Sequence, residues 1–468
     1  MPASTKHPVM RLLPRLFALL LSVVPLAGQE ISPWLFGQNH WMANHDEGTR
    51  PGHLHLLWPK VAESGVRLVR IGGNGYEKRF PERTRLRQII ADIRSAGAEP
   101  LLQVPHDFSA GQAAELVHDL NRKPGQGVRF WSIGNEPLLH DPEGIQKVYV
   151  DIIRIAPALR AADPSIRIFA FDEASMHTSD YEALCGGRFD VTGRNPDGTW
   201  MIDGFTFHRY PNGREFKRDD VILHSAENVR LQARSLVSLM AEADRRHQRT
   251  GEARLLWGLT ELNVTYVNPD RDIAGFGNAS FLGGQFVAEV FGIGMSLRAF
   301  TIAPWCINET DRVATDFGYL GLPPEFHPRS TYYHMQLMAR HMTGSFLPSS
   351  TSDRRVKSIA TRNAQGMAVM LLNQNKERDI DYELVFKPEP SLSGPLTVTV
   401  EAGLPARHTG RLPSQSTVLL LFDPKGAPMA EFIYDLRRNL GNLPPERRLL
   451  PSAADGTRMP SMTPAKSQ

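Results

Sequence analysis

The stretch RFWSIGNEP at residues 129–137 is the most informative in the chain, because an apolar run of strand length ends there in Asn135 and Glu136. A short apolar run bounded by a turn signal is typical of a buried strand. Packing does not require a polar pair at the end of such a strand. Asn135 and Glu136 are therefore candidates for chemistry at one edge of a sheet.

The same arrangement recurs at RLLWGLTELNV, residues 254–264, where Glu261 follows Thr260 at the exit of a second apolar run. Eight runs of this kind divide residues 34–305: WLFGQ at 34, VRLVRI at 66, PLLQV at 100, RFWSIG at 129, IRIFAF at 166, DGFTFH at 203, RLLWGL at 254 and RAFTIA at 298. Glu136 thus follows the fourth strand and Glu261 the seventh.

Helical periodicity fills most of the intervals between the eight runs, at residues 55–65, 110–121, 141–162, 225–248 and 279–293. Strands that alternate with helices predict a parallel sheet, and eight of them predict a closed (β/α)8 barrel. A doubly wound open sheet is the structural alternative, but no Gly-rich phosphate loop follows any of the strands.

After a helical stretch at 329–343, the pattern changes to period-two alternation in VKSIATRN, MAVMLLNQ, YELVFK, PLTVTVEAG and STVLLLFD. This pattern predicts an antiparallel β-sandwich after the barrel. We therefore divide the chain into residues 1–28, a signal peptide; 29–345, the barrel; 346–424, the sandwich; and 425–468, a Pro/Arg-rich tail that is partly disordered.

The signal peptide is predicted from Lys6, Arg11 and Arg15, which precede the apolar run LFALLLSVVPLAG at 16–28. It predicts a secreted or periplasmic protein of bacterial origin without stable membrane insertion after cleavage. An uncleaved anchor is the alternative, and the short run, broken by Pro25, disfavours it.

Composition excludes several classes of protein. The net charge of +3 over 468 residues, without a basic stripe, argues against a nucleic-acid partner. Two cysteines, Cys185 and Cys306, allow at most one disulfide. Histidines cluster between positions 40 and 55, but no HExxH spacing supports a metal hydrolase, and no GxSxG elbow supports a serine hydrolase. We expect neither a metal nor a cofactor.

A pair of carboxylates at the mouth of a barrel indicates glycosidic chemistry. Strands four and seven face each other across the mouth, which can bring Glu136 and Glu261 to the ~5 Å separation of a double displacement. The general acid needs a pKa raised by burial or by a nearby negative charge. The alternative for either glutamate is a helix start or a surface ion pair.

The Asn-Glu-Pro of strand four and the Thr-Glu of strand seven resemble the catalytic strands of glycoside hydrolase clan A. The resemblance covers about residues 31–345 and is nearest to the exported xylosidase, arabinofuranosidase, endoglucanase and glucuronidase families. It implies that Glu136 is the acid/base, that Glu261 is the nucleophile, and that Asn135 hydrogen-bonds the 2-hydroxyl of the sugar. The alternative for Asn135 is a strand-end cap.

The resemblance also implies roles for residues on three other strands. In DGFTFHRYP, His208 or Tyr210 is expected to hydrogen-bond Glu261; Arg70 is expected beneath the nucleophile, and Gly72–Gly75 after it in the wall of the cleft. Trp305 is expected to form the floor under one sugar ring. The alternatives are that His208 is a core histidine, that Arg70 forms a purely structural ion pair and that Trp305 is a core tryptophan.

The sequence therefore predicts a retaining glycoside hydrolase whose partner is an oligo- or polysaccharide. Two alternatives stay open. A catalytically inactive barrel could bind carbohydrate without cleaving it, and a transglycosylase would use the same two glutamates while excluding water.

Overall fold

A computed structural model describes residues 29–40, 54–122, 127–140, 144–267, 272–309, 316–387 and 396–451. The predicted signal peptide and the last seventeen residues of the predicted tail lie outside these ranges. Among the described residues, no helix combines the length and the apolar composition that crossing a bilayer requires.

A sheet of eight parallel strands forms the centre of the larger domain. After the short strand β1 (Gln29–Glu30), these strands follow in chain order and each pairs with the next: β2 (Gly37–His40), β3 (Leu68–Ile71), β4 (Glu99–Val104), β5 (Phe130–Ile133), β6 (Arg167–Glu173), β7 (Gly204–Arg209), β8 (Leu256–Leu262) and β9 (Thr301–Ile302). A parallel bridge between Phe36 and Ile302 joins the last strand to the first. The predicted (β/α)8 barrel is confirmed, and each of the eight apolar runs contributes to one strand.

Helices connect the strands on the outside of the barrel. They are α1 (Leu54–Glu63), α2 (Asn74–Lys78), α3 (Arg83–Ser95), α4 (Ala110–Asn121), α5 (Pro137–His140), α6 (Ile145–Ala162), α7 (Thr178–Leu184), α8 (Arg218–Asp220), α9 (Ala226–Arg246), α10 (Phe281–Ser296) and α11 (Ser330–His341). A π-helical turn at Val221–Ser225 leads into α9, and a 3-10 turn at Gly251–Ala253 precedes β8. Gly72–Gly75 is not wholly a loop, because Asn74 begins α2.

Apolar side chains fill the amino-terminal end of the barrel. Strand-start residues pack together there, among them Leu68, Leu101, Phe130 and Phe169, and Phe300 stacks between Phe130 and Phe169. Because this end is packed with hydrocarbon, a ligand can enter only from the carboxyl ends of the strands.

Two further sheets form the predicted sandwich. One has the order β1, β10 (Ser345–Leu347), β12 (Val356–Asn363), β13 (Gly366–Asn373), β17 (Ser416–Phe422), β18 (Pro428–Asp435) and β19 (Glu446–Leu449). The other has the order β11 (Ser349–Thr351), β15 (Leu396–Val400), β14 (Ile380–Val385) and β16 (Arg407–Leu412). All pairs are antiparallel except β14 with β15, and an apolar core lies between the sheets.

The boundaries of the sandwich differ from the predicted 346–424 at both ends. Gln29 and Glu30, assigned to the barrel by sequence, pair with β10. Residues 428–449, assigned to the tail, form β18, α12 (Leu436–Leu440) and β19. The backbone hydrogen bonds of an edge strand need no apolar side chains, so the composition of ERRL in β19 did not reveal it.

The sandwich packs on α10 and α11 of the barrel. Gln285 Nε2 donates to the carbonyl oxygen of Ser416 at 2.9 Å, and His334 Nε2 lies 2.7 Å from Thr417 Oγ1. Tyr434 packs its ring against Tyr333 and against His334 itself. Polar and aromatic contacts therefore fix the sandwich to the side of the barrel.

Candidate active site

A cleft of about 630 Å³ opens at the carboxyl ends of the barrel strands. Four of the seven residues selected from sequence line it: Glu136, Glu261, Tyr210 and Trp305. The other three, Arg70, Asn135 and His208, are buried beneath them, with exposed fractions of 0%, 3% and 0%. The tertiary structure thus brings all seven to one place.

Glu136 lies directly after β5 in a left-handed backbone conformation, with φ at 46°. Its backbone N–H donates to the carbonyl oxygen of Asp172 at 2.8 Å, which ties this conformation to the neighbouring strand. Its side-chain Oε1 lies 3.0 Å from His208 Nδ1, and Asn74 Nδ2 donates to Oε2 at 3.4 Å. A conformation that L-residues rarely adopt is common at functional sites.

Glu261 faces Glu136 from the end of β8. Arg70 Nη1 donates to its Oε1 at 2.7 Å, and the Tyr210 hydroxyl donates to its Oε2 at 3.0 Å. One carboxylate oxygen of Glu136, one of Glu261 and a ring nitrogen of His208 all lie within 4.8 Å of one another. The two carboxylates are therefore close enough to act on the same bond.

Arg70 organises the floor of the site from β3. Besides Glu261, it donates to Asp172 Oδ2 at 3.0 Å through Nε and to Asn135 Oδ1 at 2.6 Å through Nη2. Further bonds of 3.2 Å reach Asn39 Oδ1 and Gln103 Oε1. Because its partners hold every edge of the guanidinium plane, Arg70 fixes side chains from five strands or strand ends relative to one another.

Asn135 is held by two polar partners. Its Oδ1 accepts from Arg70, and its Nδ2 donates to Asn74 Oδ1 at 3.2 Å. An amide nitrogen carries two donors, and Asn74 is its one acceptor among the described residues. Asn135 is buried and does not line the cleft, so the expected contact with a sugar 2-hydroxyl stays a prediction.

Asp172 is a buried member of the site that the sequence analysis did not select. It follows the apolar part of β6 in a left-handed conformation with φ at 35°, and its carboxylate accepts from Arg70 and, at 2.5 Å, from the Thr260 hydroxyl. Burial acts to raise its pKa, but Arg70 and His208 outweigh it and lower the pKa. The signal was present, because the run IRIFAF ends in two acids, Asp172 and Glu173.

The hydrogen bond expected between the sixth barrel strand and Glu261 is made by Tyr210. His208 is instead bonded to Glu136, and its Nδ1 is 3.8 Å from Glu261 Oε2. The bulge between Phe207 and His208 in the pairing of β7 with β8 shifts the register by one residue. The expectation that His208 or Tyr210 bonds Glu261 is therefore met by Tyr210, and sequence alternation could not show which of the two it would be.

The titrating groups of the site depend on one another. Burial raises the pKa of Glu261, and the negative charge of Glu136 adds to this effect, against His208 and Arg70. Burial also acts to raise the pKa of Glu136, but the hydrogen bond and charge of His208 outweigh it and lower the pKa. Burial opposes the charged form of His208, yet the two carboxylates raise its pKa. The pKa of Glu136 is therefore shifted downward, opposite to the direction expected from sequence for a general acid.

Trp305 lies against the turn that follows β3. A Cβ atom on Gly73 would be 2.7 Å from Trp305 Cη2, and Gly73 has a φ of 105°, so only glycine fits there. Trp305 Nε1 donates to Glu309 Oε1 at 3.3 Å. The predicted wall residues Gly72, Asn74 and Gly75 line the cleft beside it.

Within the described part of the chain, Glu136, His208 and Glu261 are also the one group of side chains close enough to ligate a metal ion together. They already bond to each other, to Arg70 and to Tyr210. The guanidinium of Arg70, 2.7 Å from Glu261, opposes a second cation at this carboxylate. The donor set therefore fits acid–base chemistry better than metal binding.

Other residues of the cleft were not selected from sequence, namely Lys78, Leu139, Arg209, Tyr266 and Glu309. Most of them lie on loops or short helices beyond the strands. Their convergence depends on loop shape, for which the sequence carries no periodic signal.

No family model and no curated protein matches the sequence. Solved structures do match in fold. A family 51 α-L-arabinofuranosidase from Bifidobacterium longum superposes with a TM-score of 0.58 at 14% identity, over 82% of this chain and 95% of its own. The family 51 arabinofuranosidase from Xanthomonas axonopodis pv. citri has a TM-score of 0.61 at 12% identity, over 85% of this chain and 97% of its own. A monomeric β-xylosidase from Caulobacter crescentus has a TM-score of 0.54 at 16% identity, over 78% of this chain and 76% of its own. The chain thus shares with these glycosidases its fold, a (β/α)8 barrel followed by a C-terminal β-sandwich, as the alternation of strands and helices predicts.

Proposed function

We propose that this protein is a retaining glycoside hydrolase that cleaves O-glycosidic bonds of oligo- or polysaccharides by double displacement. The observation that carries the proposal is the pair Glu136 and Glu261, which reach one cleft with an oxygen of each within 4.8 Å of the other. Retaining enzymes use carboxyl groups ~5–5.5 Å apart, whereas inverting enzymes separate them by ~6.5–9.5 Å to admit a water.

Glu261 is the proposed nucleophile. Arg70 and Tyr210 each donate a hydrogen bond to its carboxylate, which stabilises its ionised form against the effect of burial. Both donors also fix its orientation, so that the attacking oxygen is presented to the anomeric carbon. A covalent glycosyl-enzyme forms as the bond to the leaving oxygen breaks.

Glu136 is the proposed acid/base, and His208 supplies its proton. His208 Nδ1 and Glu136 Oε1 lie 3.0 Å apart, close enough for a proton on the imidazole to pass to the carboxylate. A bound sugar excludes water from the cleft, and this disfavours the separated charges of an imidazolium and a carboxylate. The proton then moves to Glu136, which donates it to the leaving oxygen and later removes one from the incoming water.

The test is hydrolysis of aryl glycosides and polysaccharides by the wild type, Glu136→Gln and Glu261→Ala. We expect Glu261→Ala to abolish hydrolysis and to form an inverted glycosyl azide when azide is added. Glu136→Gln should lose ~10²–10⁴-fold on substrates with poor leaving groups and much less in the first step on activated aryl glycosides.

Glu173→Gln is the matched control. This carboxylate is also buried next to the site, with an exposed fraction of 3%, but among the described residues it accepts only from the backbone N–H groups of Leu138 and Ala174. It should lose far less activity than the two proposed catalytic glutamates. Inverted product from the wild type, or equal losses in all three variants, would refute the assignment. Binding without turnover would favour an inactive carbohydrate-binding barrel, and transfer to sugar acceptors a transglycosylase.

A further inference from the structure

Two positive side chains line the cleft without a carboxylate partner. Lys78 is exposed at the end of α2, and Arg209 is partly buried at the end of β7. In the part of the chain that the structure describes, neither forms an ion pair. By contrast, the barrel arginines Arg154, Arg160 and Arg167 each contact a carboxylate. Both positive charges that line the cleft therefore lack a protein carboxylate among the described residues.

Arg209 is rigidly held. Its Nε donates to Asn228 Oδ1 at 2.8 Å, and its Nη1 donates to Ser175 Oγ at 3.0 Å. These neutral acceptors orient the guanidinium but leave its charge uncompensated, and the remaining N–H donors, including both on Nη2, have no partner among the described residues. Burial alone lowers the pKa of Arg209, since no carboxylate offsets the loss of water. A guanidinium placed in this way is pre-organised for an anion.

The negative groups of the cleft do not fill this role. Glu136 and Glu261 are engaged by His208 and Arg70. Glu309 accepts from Trp305 Nε1 and, at 2.8 Å, from the backbone N–H of Phe317. Among the described residues, no carboxylate of the cleft therefore compensates Arg209.

The positions of the two cations also suggest an extended ligand. Lys78 follows the second barrel strand and Arg209 ends the sixth, so they lie on opposite walls of an eight-stranded barrel. Arg209 pairs in register with Leu262, next to Glu261, whereas α2, which ends at Lys78, begins at Asn74, a hydrogen-bond donor to Glu136. A chain of sugars that crosses the cleft past the glutamates meets both cations.

We propose that Arg209, with Lys78 on the opposite wall, forms a subsite for an anionic group on the sugar chain, so that the substrate is an acidic glycan. The group is a uronate carboxylate or a sulfate ester, both of which a guanidinium binds through two parallel hydrogen bonds. This inference rests on the proposed function, whose substrate class it specifies.

The experiment measures binding and hydrolysis of acidic tetrasaccharides from glucuronan, polygalacturonate and chondroitin. Each is compared with the same tetrasaccharide after reduction of its carboxylates to hydroxymethyl groups, and chondroitin also with its sulfated form. We expect at least one acidic member to bind tenfold or more tightly than its reduced counterpart, with a preference that weakens as salt is raised from about 50 to 500 mM. Preference for the sulfated form alone identifies sulfate as the group.

The variants are Arg209→Gln and Lys78→Gln, with Arg154→Gln as the control. Arg154 is a partly buried arginine that bonds the carbonyl oxygens of His106 and Phe108 outside the cleft lining. The acid preference should fall at least tenfold in Arg209→Gln, fall less in Lys78→Gln and persist in Arg154→Gln. Lys78 is exposed, so its variant and the salt dependence decide the question if Arg209→Gln does not fold.

The proposal is overturned if the wild type prefers no acidic member, if the preference survives in both cleft variants, or if Arg209→Gln weakens acidic and reduced sugars equally. Binding is measured separately from turnover. Acid-selective binding without hydrolysis would therefore contradict the proposed function and uphold the subsite, and hydrolysis without acid selectivity would do the reverse.

Discussion

At the scale of single residues, the site is defined by which donor meets which carboxylate. Glu261 is hydrogen-bonded by Arg70 and Tyr210, whereas Glu136 is hydrogen-bonded to His208 and Asn74. Two chemically identical side chains thus have different environments a few ångströms apart. This asymmetry is what two carboxylates need in order to perform different steps of one reaction.

Tyr210→Phe tests the donor on Glu261. Loss of a hydrogen bond to a charged group costs about 1.5–3 kcal/mol, so we expect kcat to fall by about 10- to 100-fold. The pKa of Glu261 should rise further, because a donor to its ionised form is lost. The acidic limb of the pH–rate profile should therefore move to higher pH.

Tyr149→Phe is the control for this change, since Tyr149 lies on α6 against Phe189, away from the cleft. It should leave both kcat and the acidic limb as in the wild type. An acidic limb that does not move in Tyr210→Phe would separate Tyr210 from the titration of the nucleophile.

At the scale of elements, each catalytic group stands where a strand ends and the chain leaves the sheet. Glu136 and Asp172 adopt left-handed conformations at these exits, and Gly73 does so before α2. Backbone hydrogen bonds between strands fix the last residues of each strand, and contacts between neighbouring strand ends fix the residues that follow. The turn after β3 contributes to the site through its close approach to Trp305.

Gly73→Ala should displace the Trp305 ring, because the new methyl group would lie 2.7 Å from Cη2. We expect KM to rise and kcat/KM to fall at least tenfold through the lost stacking surface, together with about 1–3 kcal/mol of backbone strain. Steady-state kinetics and urea unfolding measure the two effects separately.

Gly97→Ala is the control for placing a side chain at a glycine of positive φ. Gly97 has a φ of 78°, and a Cβ atom there meets nothing within 4 Å. It lies between α3 and β4, at the end of the barrel opposite the cleft. Equal losses of kcat/KM in the two variants would mean that strain, and not Trp305, explains the effect of Gly73→Ala.

At the scale of the whole molecule, the barrel and the sandwich share a buried interface that contains an uncharged histidine. His334 Nδ1 donates to the carbonyl oxygen of Ser330 at 2.8 Å, which leaves Nε2 to accept from Thr417. Burial lowers the pKa of His334 to about 4. The folded protein thus resists a proton that the unfolded chain accepts near pH 6.5.

This difference predicts that stability falls as the pH is lowered from about 6.5 to about 4, since the unfolded state binds more protons in that range. The contribution of His334 is up to about 3 kcal/mol. His334→Gln should flatten this dependence, as measured by urea unfolding at several pH values. His118→Gln, on the exposed face of α4, should keep the wild-type slope, and equal slopes in all three proteins would contradict the prediction.

The sequence predicted the eight strands, most helices and the positions of Glu136 and Glu261 at strand ends, because these depend on local features. Apolar periodicity marks a strand, and an acid that interrupts it, as at Glu136 and Glu261, marks a functional exit. The extent of the sandwich was harder to predict from the sequence. Whether residues 428–449 form strands depends on the free edge of β17, which is a property of the folded sheet.

Only the tertiary structure decided which side chains of the site hydrogen-bond each other. Arg70 meets Glu261 across 191 residues of chain, and His208 meets Glu136 across 72. The register between β7 and β8 shifts at Thr260 of β8, so that His208 pairs with Glu261 along the backbone while its side chain bonds Glu136, and Tyr210 bonds Glu261. The chemistry of a side chain is a property of the residue itself, so the sequence determined which groups can react. Distances between groups far apart in the chain are set only when the barrel closes, so the fold determined which of these groups act together.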